Sequence, residues 1–484
     1  MPDAVAHRRK GLASLGVTLS VALLAAAPVA FADESDRAVP SDRFGRLLPG
    51  LPPASEPSEA LMDAFAQLGR PNGLMDAKDP LERGPVDLIT DLSLSAGNRN
   101  NPNHSAGATF LGQFIDHDLT RDAGSRLGTP TEPRSVANLR TPRFDLDSVY
   151  GSGPTASAEL YDPGDPAKLR VESGGRFEDL PRRADGSAIV AEARNDENLI
   201  ISGLHAAFLL FHNRAVDLVR SQGVRDPSRV FKRARELTRF HYQWIAVHEF
   251  LRQIVGQRRV ARAMRRRAFF RPKKAFVPVE FRSAAYRLGH SMVRPSYTRI
   301  STPLFQLPVG TLPGGRGPAS LVHRNLLRGL TWSLPAGQRV AGMGVRAMTP
   351  SQLYELARLR AGPRAHYAAL VLRAQGGGGA EAGLRLGPVG GRIVAEVFAG
   401  LLQLDRNSYI TQRRSGVRRS PRAVAVSSRW STSAPSPAWT RRGAGSSQPP
   451  GPSPDELNCT GAALAPGGAA PVSTDDSVCY NSRR

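Results

Sequence analysis

Apolar residues recur at spacings of three and four through most of the interior of this 484-residue chain. That period predicts helices over Ser58–Gly69, Ala108–Thr120, Glu197–Ser221, Ser228–Gln257, Val279–Val293 and Gly390–Leu404. Strand-type alternation is scarce, and Gly/Pro clusters separate the helical stretches. The fold class is therefore mainly α with little β structure, a single large helical domain over residues 58–410. Residues 33–57 are polar and Pro-rich and read as an extended arm. Past Ile410 the pattern ends. Residues 412–445 hold eight arginines and no acid, and residues 446–484 are rich in Pro, Gly and Ser. Neither stretch has a period that could bury a core, so residues 411–484 are predicted to be a disordered tail.

The amino terminus carries a basic cluster, His7-Arg8-Arg9-Lys10, then a mostly apolar run from Leu12 to Val29, then Ala30-Phe31-Ala32. This is the layout of an export signal over residues 1–32, cleaved before Asp33, and it predicts a secreted protein. The formal charge is +23. Part of the excess lies in one dense run, residues 258–274 (RRVARAMRRRAFFRPKK). No nucleic-acid motif accompanies that run, so no specific nucleic-acid partner is expected. It reads as a solvated helix face with nonspecific attraction for anionic envelope polymers. The only cysteines, Cys459 and Cys479, lie in the tail, which excludes a disulfide-stapled core and a thiolate metal site.

Candidate chemistry begins at Gly107-Ala-Thr-Phe-Leu-Gly-Gln-Phe-Ile-Asp-His-Asp-Leu-Thr120, a histidine between two aspartates on an otherwise apolar helix. At 100° per residue Gln113 and His117 share a face with Asp116 beside them, while Asp118 turns elsewhere. Such a helix either lines a cofactor pocket or ends in an exposed Asp-His-Asp. Thr141-Pro-Arg-Phe-Asp-Leu-Asp147 places oxygen donors at every second position, which suits a hard cation, or else a turn in which Asp147 caps a short helix. Arg194-Asn-Asp-Glu-Asn198 opens a long apolar helix. Asp196 could be its N-cap, and Arg194 then has no evident purpose. Tyr286-Arg-Leu-Gly-His290 puts a histidine on a helix, and Asn325 and Arg328 lie three apart on one face.

In this order the stretches GQFIDHDLT, RTPRFDLDSVYGSGP, RNDENLI, AAYRLGHSMVRPSY, RNLLRG and LGPVGGRIVAEV resemble the animal-type haem peroxidases, the peroxidase–cyclooxygenase superfamily, and especially its secreted bacterial members. The resemblance runs from about Phe44 to Tyr409. It implies haem b and Ca²⁺ as cofactors, with hydrogen peroxide and a small aromatic donor or halide as substrates. His117 would be the distal histidine, Arg194 the distal arginine, and Gln113 the residue ordering water or halide beside them. His290 would ligate the iron, with Asn325 accepting its Nδ1–H. Arg287 and Arg328 would meet the propionates or support that bond. Asp116 and Glu197 match carboxylates that in relatives form ester links to haem. Asp118, Thr141, Arg143 (through its carbonyl), Asp145 and Asp147 match the calcium site.

The chain departs from the family at four places. Asn198 stands where relatives have a methionine able to link to haem, and Glu192-Ala193 stands where they have Gly-Asp before the arginine. The interval from His290 to Asn325 is short, the shortening lying between residues 297 and 325, and the usual carboxy-terminal ending is absent. Two other functions share the scaffold. A peroxinectin-like adhesion protein would keep the fold without needing the chemistry. A fatty-acid dioxygenase would need a tyrosine three residues before the proximal histidine, where this chain has Arg287.

Overall fold

The computed structural model describes residues 42–414, except 74–75, 77, 96–100, 102–103, 174–177, 295, 298–299, 302–317 and 342–384. The export signal, most of the 298–324 interval and the tail beyond residue 414 lie outside the described residues. Helices dominate. Among the described residues the β ribbons are four two-stranded pairs whose strands are two to five residues long.

The N-terminal segment is not merely an arm. From Phe44 onward it enters the core: β1 (Phe44–Gly45) pairs in parallel with Val277–Pro278, and Phe44, Leu47 and Leu48 are buried. The carboxylate of Glu280 accepts from Leu47 N at 2.8 Å and Leu48 N at 3.1 Å, satisfying backbone donors that burial would otherwise strand. Apolar residues among prolines were enough to anchor it.

Helix α1 (Glu59–Gly69) starts at an N-cap, Ser58. After α2 (Gly84–Thr90) comes α3 (Ala106–Leu119), which buries Phe110, Phe114, Ile115 and Leu119. A Cβ at Gly112 would lie 3.0 Å from the Phe250 ring, so the glycine lets α3 sit directly on that aromatic. A short α4 (Asp147–Tyr150) leads through the small ribbons to α5 (Leu199–Ser221). The N-cap of α5 is Asn198, whose Oδ1 accepts from Ile200 N and Ile201 N, so the Asp196 expectation is corrected. Asp196 instead pairs with Arg182 at 2.9 Å and 3.0 Å. Helix α5 packs along α6 (Pro227–Ile245), itself capped by Asp226 with proline at its first position.

The predicted helix 228–257 is nearly continuous. It passes through a π turn, Ala246–Phe250, into α7 (Leu251–Val255) and stops at Gly256, whose φ of +83° favours glycine. Helix α8 (Gln257–Arg265) comes next. The predicted helix 279–293 is corrected to three pieces: α9 (Val279–Ser283), a 3-10 turn (Ala285–Arg287) and α10 (Leu288–Met292). The break at Ala284 lets Tyr286 stack on Phe281 while the chain beyond it turns. Helix α11 (Leu321–Thr331), α12 (Gly337–Ala341), α13 (Pro388–Leu404) and α14 (Tyr409–Arg414) complete the described chain.

Helix α13 is apolar on nearly every side and forms the central rod, with Phe398 meeting Phe144, Phe250, Phe281 and Tyr286. Its one buried acid, Glu396, accepts from the backbone nitrogens of Ala268, Phe269 and Phe270 at 2.7–3.2 Å. The basic run is thereby pinned from beneath, while Arg258, Arg262 and Arg265 share the exposed face of α8. That is the solvated helix face the sequence predicts.

Two buried histidines of α5 give this fold an acid limit. The Tyr150 hydroxyl lies 3.0 Å from His212 Nδ1, and His212 Nε2 lies 2.9 Å from Ala167 O, an arrangement that suits the neutral ring. Among the described residues His205 Nδ1 has no hydrogen-bond partner. Burial holds both rings down to about 4. Below about pH 6.5 the unfolded chain binds protons that the fold refuses, so stability falls from there to about pH 4, by at most about 3 kcal/mol per ring. Denaturant titrations at pH 7 and pH 5 should show this fall, and His205→Leu should remove close to one proton from it. An unchanged slope in that variant would refute the assignment.

Candidate active site

Helix α3 carries Gln113, Asp116 and His117 toward α10 and the Ala193–Asp196 turn. His117 is buried, and its Nδ1 lies 2.9 Å from the Oδ1 of Asn195. An amide oxygen only accepts, so Nδ1 carries the hydrogen and Nε2 is left with its lone pair. Burial, then the Arg194 cation, hold the ring down to about 4, so it is neutral at pH 7. The sequence reading did not find Asn195. Its signal was only its place beside Arg194, in a turn whose path the sequence does not reveal.

Arg194 closes the end of the same helix. Its Nη2 donates to Thr120 O at 2.6 Å and His117 O at 3.3 Å, two carbonyls of the final turn and cap of α3. A cation there also opposes the negative end of the helix dipole. Its Nη1 stands 3.8 Å from Asp116 Oδ2. Glu192 grips the guanidinium from behind, accepting from Nε at 2.9 Å and Nη2 at 3.1 Å. Glu192 is fully buried, and although burial opposes its charge, Arg194 and Arg140 hold its carboxyl down at about 2. The altered Glu192-Ala193 pair therefore holds the arginine. Gln113 Nε2 donates to Glu197 Oε2 at 2.9 Å, a contact between two of the expected site residues that the sequence did not foresee.

Across from α3, His290 Nδ1 lies 3.0 Å from Asn325 Oδ1 on α11, as the resemblance implies. Burial, then Arg287, keep this ring down at about 3 and neutral. Asp116 acts electrostatically on both His117 and His290, so the two histidines border one region. Arg328 Nη1 and Arg282 Nη1 both lie 3.2 Å from Asp122 Oδ2, and Arg287 Nε donates to Arg282 O at 3.1 Å. Tyr286 donates its hydroxyl to Gly112 O at 3.1 Å and sits among aromatics.

The donor set suits haem. Asp116, Arg194, Arg287 and His290 keep accessible surface although protein atoms surround them, as groups lining an internal cleft do. A Cβ at Gly289, next to His290, would meet nothing within 4 Å, so a flat ligand could approach the backbone there. Arg282 and Arg287 are pushed down to about 9 and about 10, by burial and then by Arg328. Asp116 is drawn below its usual range because Arg287 and Arg194 outweigh its burial. Among the described residues the Nε of Arg282 has no hydrogen-bond partner. Buried cations in excess of buried acids call for an anionic ligand, and the propionates of haem would supply that charge.

The acidic residues of the second motif converge. Ligand oxygens of Asp118, Asp145 and Asp147 lie within 4.8 Å of one another. Leu146, in the left-handed region at φ +60°, folds the loop back so that both of its aspartates face α3. Burial and mutual repulsion raise Asp118 well above the ordinary range and Asp147 to about 6, and burial also raises Asp145. Such a cluster fits a divalent cation. Thr141 joins it, Oγ1 donating to Asp145 Oδ1 at 2.8 Å and N to Asp147 Oδ2 at 3.0 Å, while the side chain of Arg143 is exposed. Asp147 is the first residue of α4 and does not cap it. Ser148, unforeseen, donates to Asp118 Oδ1 at 3.0 Å.

Residues 120–313 match the family model described as animal haem peroxidase. The chain is 29% identical over 189 residues to the chorion peroxidase of Aedes aegypti and 22% identical over 251 residues to the thyroid peroxidase of Mus musculus. Those alignments take in 34% and 44% of this chain but only 24% and 27% of the relatives' lengths. In fold it is similar to the fatty acid alpha-dioxygenase of Arabidopsis thaliana, with a TM-score of 0.50 and 13% identity, over 80% of this chain and 76% of that one. The family model and both peroxidases thus agree that this chain is similar to the animal haem peroxidases over part of its length.

Proposed function

We propose that this protein is a secreted peroxidase that reduces hydrogen peroxide at haem b and oxidises a small aromatic donor or a halide. The observation that carries the proposal is a pair of neutral histidines that share Asp116 as an electrostatic neighbour, each fixed at Nδ1 by an asparagine oxygen: His117 by Asn195 and His290 by Asn325. His290 would ligate the iron through Nε2, and Asn325 would strengthen it as a donor. Arg287, with Arg328 and Arg282 behind it, would meet the propionates. Asp116 and Glu197 are the carboxylates that ester links to haem would use. When bound, haem supplies two-electron reduction of peroxide and draws the electrons back from the donor.

The chain's own residues then handle protons and charge. His117 accepts a proton at Nε2 from incoming peroxide and returns it to the departing oxygen. Arg194, held by Glu192, directs positive charge toward the region where the oxygen–oxygen bond separates charge. Gln113, tied to Glu197, orders water or halide one turn before His117. Asp118, Asp145, Asp147 and Thr141 bind Ca²⁺ and tie the end of the distal helix to its loop. The dioxygenase alternative is not favoured, because the Tyr286 hydroxyl is engaged with Gly112 O.

The test is a spectrum and a turnover assay on purified holoprotein. Haem reconstitution should give a ferric Soret band that shifts on adding peroxide and returns on adding a phenolic donor or iodide. Peroxide consumed without donor oxidation, or no spectral response to it, would refute the proposal.

A further inference from the structure

A buried chain of charges runs from the acidic cluster to Arg194, linking two of the sequence motifs through Glu192, which lies outside both. Arg140 is its centre. Nη1 of Arg140 stands 3.6 Å from Asp147 Oδ1, an oxygen that has no hydrogen bond among the described residues. Its Nε donates to Glu192 Oε2 at 2.8 Å and its Nη2 to Ala191 O at 2.7 Å. Glu192 in turn holds Arg194, which holds the carbonyls of His117 and Thr120. The Arg140 side chain is 9% exposed and that of Glu192 is fully buried, so water screens these contacts weakly. Asp147 is therefore one contact from Arg140, two from Glu192 and three from Arg194.

We propose that Arg140 and Glu192 form a charge bridge through which a divalent cation bound at Asp118, Asp145 and Asp147 fixes the position of Arg194. Arg140 is shared between two acids. A cation takes over the neutralisation of Asp147 and repels Arg140, which concentrates Arg140 on Glu192 and steadies the carboxylate that grips Arg194. Without the cation Arg140 is drawn toward Asp147, and Glu192 is left to hold Arg194 alone. Glu192 is thus a positioning residue, acting through Arg194. The inference rests on the proposed cation site and on the proposed role of Arg194, but its test does not depend on turnover.

The test is a thermodynamic cycle on the affinity of holoprotein for Ca²⁺, read by competition with a chelating indicator. Arg140→Gln should tighten calcium binding by about tenfold or more, since it removes a cation beside a ligand oxygen. Glu192→Gln should weaken binding several-fold, because Arg140 then falls back on Asp147. In the double variant the Glu192→Gln effect should largely vanish. By reciprocity, Arg194→Gln should change calcium affinity in the wild-type background and leave it unchanged in the Glu192→Gln background. Should Glu192→Gln not fold, Glu192→Asp, which keeps the charge but shortens the reach, enters the same cycle. Additive effects across the cycle would overturn the bridge, and so would a wild-type protein that takes up no calcium. Non-additive calcium affinities in a protein that fails to turn over peroxide would leave the bridge standing and refute only the peroxidase proposal.

Discussion

His290→Ala is expected to leave the purified protein without stably bound haem, its Soret absorbance falling to the level of free haem added to an unrelated protein. The His290 Nδ1 lies 3.0 Å from Asn325 Oδ1 on α11. Removing the side chain would delete both the proposed iron ligand and the ring that Asn325 orients. What remains for haem is propionate pairing and apolar contact, which set an orientation but replace no metal bond. Asn325→Leu should be milder, retaining haem with an altered Soret position, because the ring stays while its Nδ1 loses the acceptor. Wild-type haem content in His290→Ala would remove the histidine from the ligand role and with it the assignment of α10 to the haem's proximal side.

His117→Ala should behave in the opposite way, keeping haem and losing chemistry. Without the imidazole the last turn of α3 itself carries no side chain that can both take and return a proton at the peroxide. Asp116 is held ionised by Arg287 and Arg194, and Arg194 cannot give up its own proton. General acid–base assistance is worth roughly 10²–10⁴ in rate, about 3–5 kcal/mol of barrier. A rapid-mixing measurement of the second-order constant with peroxide should fall within that range, at unchanged haem content. Asn195→Leu should lose less, since it frees the tautomer without removing the base. A wild-type rate in His117→Ala would end its role as the proton shuttle.

Much of the site was legible before folding because short-range geometry places it. Gln113, Asp116 and His117 fall together on one helix from the 100° step alone, whereas Asp145 and Asp147 converge through the left-handed turn at Leu146 and not through the extended alternation expected of the segment. Other features were hidden because their causes are not local. Asp196 looked like the cap of α5, and Asn198 took that place because Arg182, fourteen residues away, claims Asp196. The helix predicted over 279–293 carries good periodicity throughout, yet breaks at Ala284. Residues 33–57 had the composition of an arm, and Phe44, Leu47 and Leu48 are core because a strand from residue 277 and the Glu280 carboxylate receive them.

The sequence by itself determined the helical class and the faces that Gln113 and His117, and Asn325 and Arg328, share, because these depend on periodicity within a dozen residues. The roles expected of the two histidines and of the cluster acids came from the resemblance of the ordered motifs to a family. Only the tertiary structure decided what each of those groups is paired with: Asn195 behind His117, Asn325 behind His290, and Arg140 and Glu192 behind Arg194. The reason is physical. A buried polar or charged group must find its partner wherever the packing brings one within about 3 Å, and nothing in the spacing along the chain specifies which distant residue that will be.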